Sequence, residues 1–490
     1  MDKTQLAADY ALTAWGNGSG DTLDVLVWVT ASTRSAVVAG YAQAGVELCR
    51  GDPGNPEQAA QALLAWLTHK AGAKPCRWLI VLDDVADPDG LAANPDEPDK
   101  RYSLWPPANP YGRTLVTTRR RDAALTGEGR RLVEVGLFTE AEATAYLSAS
   151  LAAHGLHEPA GQLTALACDL GRLPLALSQA TASLVDSGKN VSAYRELLAE
   201  RTTTLADTPP DRLPDDQALP LAAAWSLSID RADTLRPAGR ARPMLQLAAM
   251  LDPNGIPQAV LTSEPALTHL AQHRTRTNPG PARRPKWWRP NKRQHSPEPV
   301  TREEATGALR ALHRLSLIEH IPAIPHQAVR LHQLVQRTTR DTLAPDQHAR
   351  LARTAADALV EAWPEIERDT ALAQALRANT TALTGYAADA LYRLPDTHMV
   401  LYRAGRSLGE SGQVTAAITH FHHLATTTRR HLGPDHPTTS PPSPPGATLA
   451  YWRGKGAMWL APQRRPPSCW TTCCGCWART TPTPSPPGTA

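Results

Sequence analysis

The sequence predicts a parallel, doubly wound α/β sheet at the N-terminal end, followed by helical domains. Three observations carry this reading. Four short runs are almost continuously apolar, as strands covered on both faces are. The intervals between them leave room for helical crossovers. Beyond Glu140, strand-like text gives way to helical text.

In chain order the strand candidates are Asp24–Thr30 (DVLVWVT), Trp78–Val85 (WLIVLDDV), Arg113–Thr118 (RTLVTT) and Arg131–Val135 (RLVEV). The stretches EAEATAYLSASLAAHGL and LTALACDLGRLPLALSQATASLV then carry helices from Glu140 to Glu200. Residues 203–219 form a Pro/Asp-rich linker, and helices resume with ALPLAAAWSLSI. A second unit runs to about Thr342, interrupted by the basic insert HRTRTNPGPARRPKWWRPNKRQ. From Asp346 onward the text is Ala/Leu-rich helix with short breaks.

The chain has 490 residues, long enough for two to four domains, and a formal charge of +4. That charge is unevenly placed. Residues 273–300 hold eight Lys/Arg against one acid, Glu298, and residues 438–490 hold five Lys/Arg and no acid. The remainder is therefore mildly acidic, which disfavours a uniformly basic nucleic-acid binder. Cysteine divides the same way: four of the seven lie in Cys469–Cys476, leaving Cys49, Cys76 and Cys168 elsewhere. Three scattered cysteines suit a reducing compartment. No apolar run reaches the roughly 18–20 residues of a membrane span, and the N-terminus lacks a charged-then-apolar signal layout. A cytosolic protein is expected.

The run Leu79–Asp84 (LIVLDD) is what a strand looks like when its C-terminal tip holds a magnesium ion. Its apolar part is buried, and its acids emerge where open α/β sheets place ligands. Turn chemistry alone also ends strands in Asp. Lys3-Thr4 precedes the helical stretch QLAADYALTAW. A phosphate-binding loop of the form G-x-x-x-x-G-K-[ST] ends in such a pair: its lysine meets the β/γ-phosphates and its hydroxyl meets magnesium. Asp2 stands where the last glycine would be, and the glycine-rich part does not precede it in this sequence.

Six segments stand in a telling order: Lys3-Thr4-Gln5-Leu6-Ala7, VLVWVTAST (25–33), LIVLDDV, GRTLVTTRRR (112–121), GRLPLAL (171–177) and VRLHQLVQ (329–336). Together they resemble an NB-ARC-type nucleotide switch of the signal-transducing (STAND) P-loop ATPases. The form resembled is the bacterial one with tetratricopeptide repeats, N-terminally truncated here. The resemblance spans about residues 1–437. It implies a P-loop NTPase-like parallel sheet, lacking its first strand and most of the phosphate loop. Helical and winged-helix domains and tetratricopeptide-like repeats would follow.

Carried over by motif, the resemblance makes Lys3 and Thr4 the phosphate-loop remnant and Asp83 the magnesium ligand. Asp84 would position or activate the attacking water, and Arg119 would be the sensor arginine that reaches the γ-phosphate. Pro174 would pack near the adenine; as plain text it is a helix-starting proline between helices, and both can hold together. His332 matches the histidine that contacts the β-phosphate of bound ADP. Its triplet is Leu331-His332-Gln333, so the acid of that motif is missing, and a packed histidine is the other reading.

The implied domains are a nucleotide-binding unit at 1–138, a helical subdomain at 139–202 and the linker 203–219. A winged-helix-like unit at 220–342 carries the basic insert 273–300. Repeat-like helices occupy 343–437, and a tail covers 438–490. In the repeat region Gly405, Ala417 and Phe421 fall where two helices approach closely. The tail is expected to lack structure and to be read out of frame: one base later, codons for Leu432–Pro437 (LGPDHP) give WARTTP, the text at 477–482. A frame change near Gly454–Lys455 would explain it. A zinc site at Cys469, Cys473, Cys474 and Cys476 is disfavoured by its spacing. At the other end, a start upstream of Met1 or a degenerate gene would explain the missing glycines.

The expected function is an ADP/ATP- and Mg2+-dependent signalling switch whose repeats bind a protein or peptide partner. It would hydrolyse ATP slowly if the phosphate site works, and loss of the phosphate loop would leave it inactive. A homo-oligomer is compatible with this reading. Two alternatives are a nucleotide-independent repeat scaffold and a DNA-binding regulator that uses the winged helix and the Trp287-Trp288 insert.

Overall fold

The computed structural model describes residues 3–16, 23–68, 76–94, 96, 101–120, 125, 129–206, 218–275, 298–393, 396–433 and 476–478. Residues 276–297 of the basic insert and most of the tail, with Cys469, Cys473 and Cys474, lie outside the described residues. The chain divides into two compact units. One comprises residues 1–134, 405–423 and 446–490; the other comprises residues 135–404 and 424–445.

The first unit is built on three parallel strands: β1 (Val25–Thr30), β2 (Trp78–Asp83) and β3 (Gly112–Val116). β1 pairs with β2 from Val25↔Trp78 to Thr30↔Asp83, and β2 pairs with β3 from Trp78↔Gly112 to Leu82↔Val116. Every residue of β2 is buried, which is why its sequence is continuously apolar rather than alternating. Its side chains still divide by face with period two. Trp78, Ile80 and Leu82 join a core with Val37, Tyr41, Ala44, Leu63 and Leu67 of α2 (Arg34–Cys49) and α3 (Pro56–Leu67). Leu79 and Val81 pack on the other face against Ala7 and Ala11 of α1 (Lys3–Gly16).

Local chemistry fixes where the helices start. Thr33 caps α2 by accepting from the Ala36 N–H at 3.2 Å. Asn55 caps α3 ahead of Pro56, whose fixed φ suits the first helical position. α2 and α3 cross so closely that a Cβ on Gly45 would lie 2.1 Å from the Ala59 carbonyl oxygen. Gly112 likewise admits the Trp78 ring, which a Cβ would meet at 2.1 Å.

Two features depart from the sequence reading. Arg131–Val135, expected as a strand, forms none. It leaves Leu132 and Val133 48% and 66% exposed. β3 is an outer strand of the sheet, with Arg113 and Thr114 exposed, and no described ladder reaches residues 131–135. A strand needs an adjacent strand to pair with, and an apolar sequence cannot by itself make one. At the opposite edge, Cys476–Ala478 form a short strand, β4, within the tail expected to lack structure. It pairs antiparallel with β1 from Val25↔Ala478 to Val27↔Cys476.

The second unit is helical. Its first group is α4 (Glu140–Ala152), α5 (Ala160–Asp169), α6 (Pro174–Ser187), α7 (Val191–Ala206) and α8 (Ala218–Thr234). α4 begins with a capping box between Thr139 and Glu142. Leu147, Leu151, Leu166, Leu177 and Leu184 are among the buried side chains. α9 (Ala241–Ala248), α10 (Gln258–Leu261), α11 (Glu264–Gln272) and α12 (Arg302–Arg314) follow. Next come a two-stranded antiparallel pair, β5 (Glu319–His320) and β6 (Val329–Arg330), then α13 (Gln333–Asp341). Ion pairs tie these groups together. Asp186 of α6 takes Arg231 of α8 at 2.5 Å and also Arg314 of α12, while Asp233 takes Arg242 of α9 at 3.2 Å.

α14 (Pro345–Ala362) and α15 (Thr370–Leu391) complete this unit's core. Asn379, fully buried, donates to the Gly255 and Ala375 carbonyls at 2.8 Å and accepts from the Asp252 N–H at 3.0 Å. Gln336 donates to the Leu251 carbonyl at 2.5 Å, and Arg340 sits 3.7 Å over the Tyr386 ring. α13 and α15 thereby hold the turn at residues 249–255. The last helices are α16 (Met399–Glu410) and α17 (Val414–Leu432). They approach closely at Gly405, where a Cβ would lie 2.7 Å from the Phe421 ring. Ala417 and Phe421 are buried.

Candidate magnesium and phosphate site at the sheet tip

Three elements of the first unit end at one place. β2 delivers Asp83 and Asp84, the chain after β3 delivers Thr117, Thr118 and Arg119, and the first turn of α1 delivers Lys3 and Thr4. The register continues past the strand ends. The Thr117 N–H donates to the Leu82 carbonyl at 2.9 Å, the Val85 N–H to the Thr117 carbonyl at 2.8 Å, and the Ala31 N–H to the Asp83 carbonyl at 2.6 Å. The tips are therefore held as firmly as the sheet.

Asp83 is 5% exposed. Its Oδ1 accepts from Thr117 Oγ1 at 2.6 Å and from Thr4 Oγ1 at 2.9 Å. A buried carboxylate needs such donors, because an unpaired buried charge is very costly. Thr117 Oγ1 in turn accepts from the Asp84 N–H at 2.8 Å. Asp84 has φ +56°, a left-handed conformation that Asp visits more readily than most residues. Its carboxylate, largely buried, lies 3.6 Å from the mostly exposed Arg119 guanidinium. The Thr118 hydroxyl donates to the Val85 carbonyl at 2.7 Å and accepts from the Arg120 N–H at 3.1 Å, which fixes the turn that carries Arg119.

The donor set suits magnesium. Mg2+ takes hard oxygen ligands in an octahedron at about 2.0–2.1 Å, so adjacent ligands lie about 2.9 Å apart. Thr4 Oγ1 and Asp83 Oδ1 already have that separation, 2.9 Å. No cluster of three His, Cys, Asp or Glu side chains with metal-holding geometry occurs among the described residues. One carboxylate and one hydroxyl fit a cation that is completed by phosphate oxygens and water rather than by a protein cage. The start of α1 adds the partial positive charge of a helix N-terminus.

Four of the residues singled out from the sequence thus converge: Thr4, Asp83, Asp84 and Arg119. Lys3 lies beside Thr4 as the first residue of α1. Pro174 and His332 belong to the second unit and have local structural parts. Pro174 is the first residue of α6, after a turn in which Gly171 and Arg172 both have positive φ. His332 caps α13, its Nδ1 accepting from the Leu334 N–H at 3.2 Å. Sequence reasoning missed Thr117. Its signal was present: a hydroxyl residue directly after β3, on the strand neighbouring the one that ends in two acids.

No known protein-family profile matches the chain. A nucleotide-binding leucine-rich repeat (NLR)-like protein of Hyaloscypha variabilis is 28% identical over 177 residues, 35% of this chain and 18% of that protein. The chain thus spans less than a fifth of the length of this curated relative. Among solved structures, it is similar to a signal-transduction ATPase with numerous domains (STAND) that has a tetratricopeptide repeat sensor, from Pyrococcus horikoshii. The TM-score is 0.39 at 11% identity, with 94% of this chain and 61% of that chain covered. In the order of its motifs and in this curated relative, the chain resembles the nucleotide-binding proteins of the NB-ARC and STAND type.

Proposed function

We propose that the chain is a nucleotide-binding signalling switch that takes ADP or ATP with Mg2+ at the sheet tip. One observation carries this: Thr4 of the lysine–threonine pair and Asp83 of the acid pair meet at 2.9 Å, though far apart in sequence. In this reading Lys3 and the start of α1 meet the phosphates, and Thr4 and Asp83 share the cation. Asp84 orients the attacking water, and Arg119 senses the γ-phosphate. Catalysis of phosphoryl transfer by positioning and charge neutralisation needs no more covalent chemistry than this. Turnover would be slow and would reset the switch. Pro174 and His332 would take the adenine and β-phosphate parts that the resemblance gives them.

The helices α8 to α13 with the β5–β6 pair, residues 220–342, would form the winged-helix-like domain. α14 to α17 would form the repeat-like surface that takes a protein or peptide partner. The close packing at Gly405 and Phe421 supports a repeat hairpin there. No helix among the described residues is long and apolar enough to cross a membrane.

Binding of labelled ADP and ATP by the purified full chain tests the proposal. Saturable binding that Asp83→Ala and Lys3→Ala abolish supports it, and no measurable binding by the unaltered chain overturns it. A second reading, a nucleotide-independent scaffold, is favoured by one observation: the apolar residues Leu132 and Val133 are exposed and form no strand. That reading predicts partner binding that is indifferent to nucleotide.

A further inference from the structure

We propose that Thr117 is the positioning residue of the acid pair, holding both aspartates through one hydroxyl, while Thr4 supplies the hydroxyl surrendered to the cation. The cation half of this inference rests on the nucleotide reading above; the Thr117 half stands on the geometry alone.

A threonine hydroxyl has one proton and two lone pairs. At Thr117 the proton goes to Asp83 Oδ1 at 2.6 Å, short as hydrogen bonds to a charged acceptor are. A lone pair receives the Asp84 N–H at 2.8 Å. One buried oxygen thus joins the side chain of the first acid to the backbone of the second. Asp84 needs such a hold, because its φ of +56° is disfavoured for any residue with a Cβ. The hold directs the Asp84 carboxylate toward Arg119, two residues beyond Thr117 on the same strand tip. Hydroxyl and guanidinium therefore address the two acids from one short segment, and a shift of that segment moves both.

Thr4 differs on each point. Its bond to Asp83 Oδ1 is longer, 2.9 Å against 2.6 Å, and only partly buried. It also lies at the spacing of two neighbouring Mg2+ ligands. When a cation binds, the Thr4 proton can turn away from Asp83 while the oxygen coordinates. Thr117 keeps its proton on Asp83, acting on the metal through its ligand, as outer-shell partners do.

The test compares Thr117→Val, Thr117→Ser and Thr4→Val in the full chain by two readouts. The first is hydrogen exchange at the Asp84 amide without nucleotide. The second is Mn2+ affinity, followed by electron paramagnetic resonance with ATP present. Thr117→Val is expected to speed Asp84 exchange by about tenfold and to weaken Mn2+ by about tenfold or more. Thr117→Ser should restore both. Thr4→Val should weaken Mn2+ but leave Asp84 exchange as in the unaltered chain. Wild-type exchange in Thr117→Val overturns the proposal. So does loss of Asp84 protection in Thr117→Ser, a variant that decides the matter if Thr117→Val fails to fold. If the unaltered chain takes no Mn2+, the nucleotide reading falls, and the exchange measurement still decides the part played by Thr117.

Discussion

Replacing His269 by Leu should flatten the acid side of the stability profile. His269 lies on α11 and is 7% exposed, with the His273 ring stacked 4.4 Å away. Burial first, and His273 second, lower its pKa from 6.5 to about 4; the Pro243 carbonyl acts in the opposite direction. Because the folded pKa lies below the unfolded one, the unfolded chain binds the extra proton as pH falls through 6.5. Stability is then lost progressively between pH 6.5 and about 4, and no further below that. The full shift corresponds to about 3 kcal/mol, of which about 2 kcal/mol is spent by pH 5. Urea denaturation of the wild type and His269→Leu at pH 7.5, 6 and 5 reads this directly. The wild type should lose about 2 kcal/mol more than the variant between pH 7.5 and 5. Parallel losses in the two proteins would refute the assignment.

Other outcomes follow from the packing. Asn379→Leu strands the Asp252 N–H and the Gly255 carbonyl, and should cost about 2–4 kcal/mol in chemical denaturation. Leu82→Ala, in the middle of the first unit's core, should cost about 2–5 kcal/mol in the same assay. Gly45→Leu forces a side chain against the Ala59 carbonyl, so the thermal transition should fall clearly and expression with it. Arg119→Ala should leave stability within about 0.5 kcal/mol, since the side chain is mostly exposed, yet reduce discrimination of ATP from ADP in a binding assay.

How much was legible in the sequence depended on how local each determinant is. β2 could be read from six residues, because cover on both faces makes the whole strand apolar. The candidates Thr4, Asp83 and Arg119 could be picked out because each stands in a recognisable short context. Thr117 could not, because its importance comes from lying across the ladder from Asp83 and not from its own neighbours in sequence. Arg131–Val135 has strand composition, but a strand exists only with an adjacent edge to pair with, and pairing is not a property of the segment. The reverse holds for Cys476–Ala478, whose own composition gives no strand signal and which pair with the edge of β1. For Pro174 and His332, the structure supplies a helix start and a helix cap, ordinary local work that the same residues would do with or without a ligand.

The most direct test of the central claim is calorimetric titration of the full chain with ATP and ADP in Mg2+, repeated with Asp83→Asn. That exchange keeps the size of the side chain while removing its charge. The unaltered chain should bind saturably and in a Mg2+-dependent way, and the variant about tenfold or more weakly. Binding that is absent from the unaltered chain, or unchanged by Asp83→Asn, would contradict that claim.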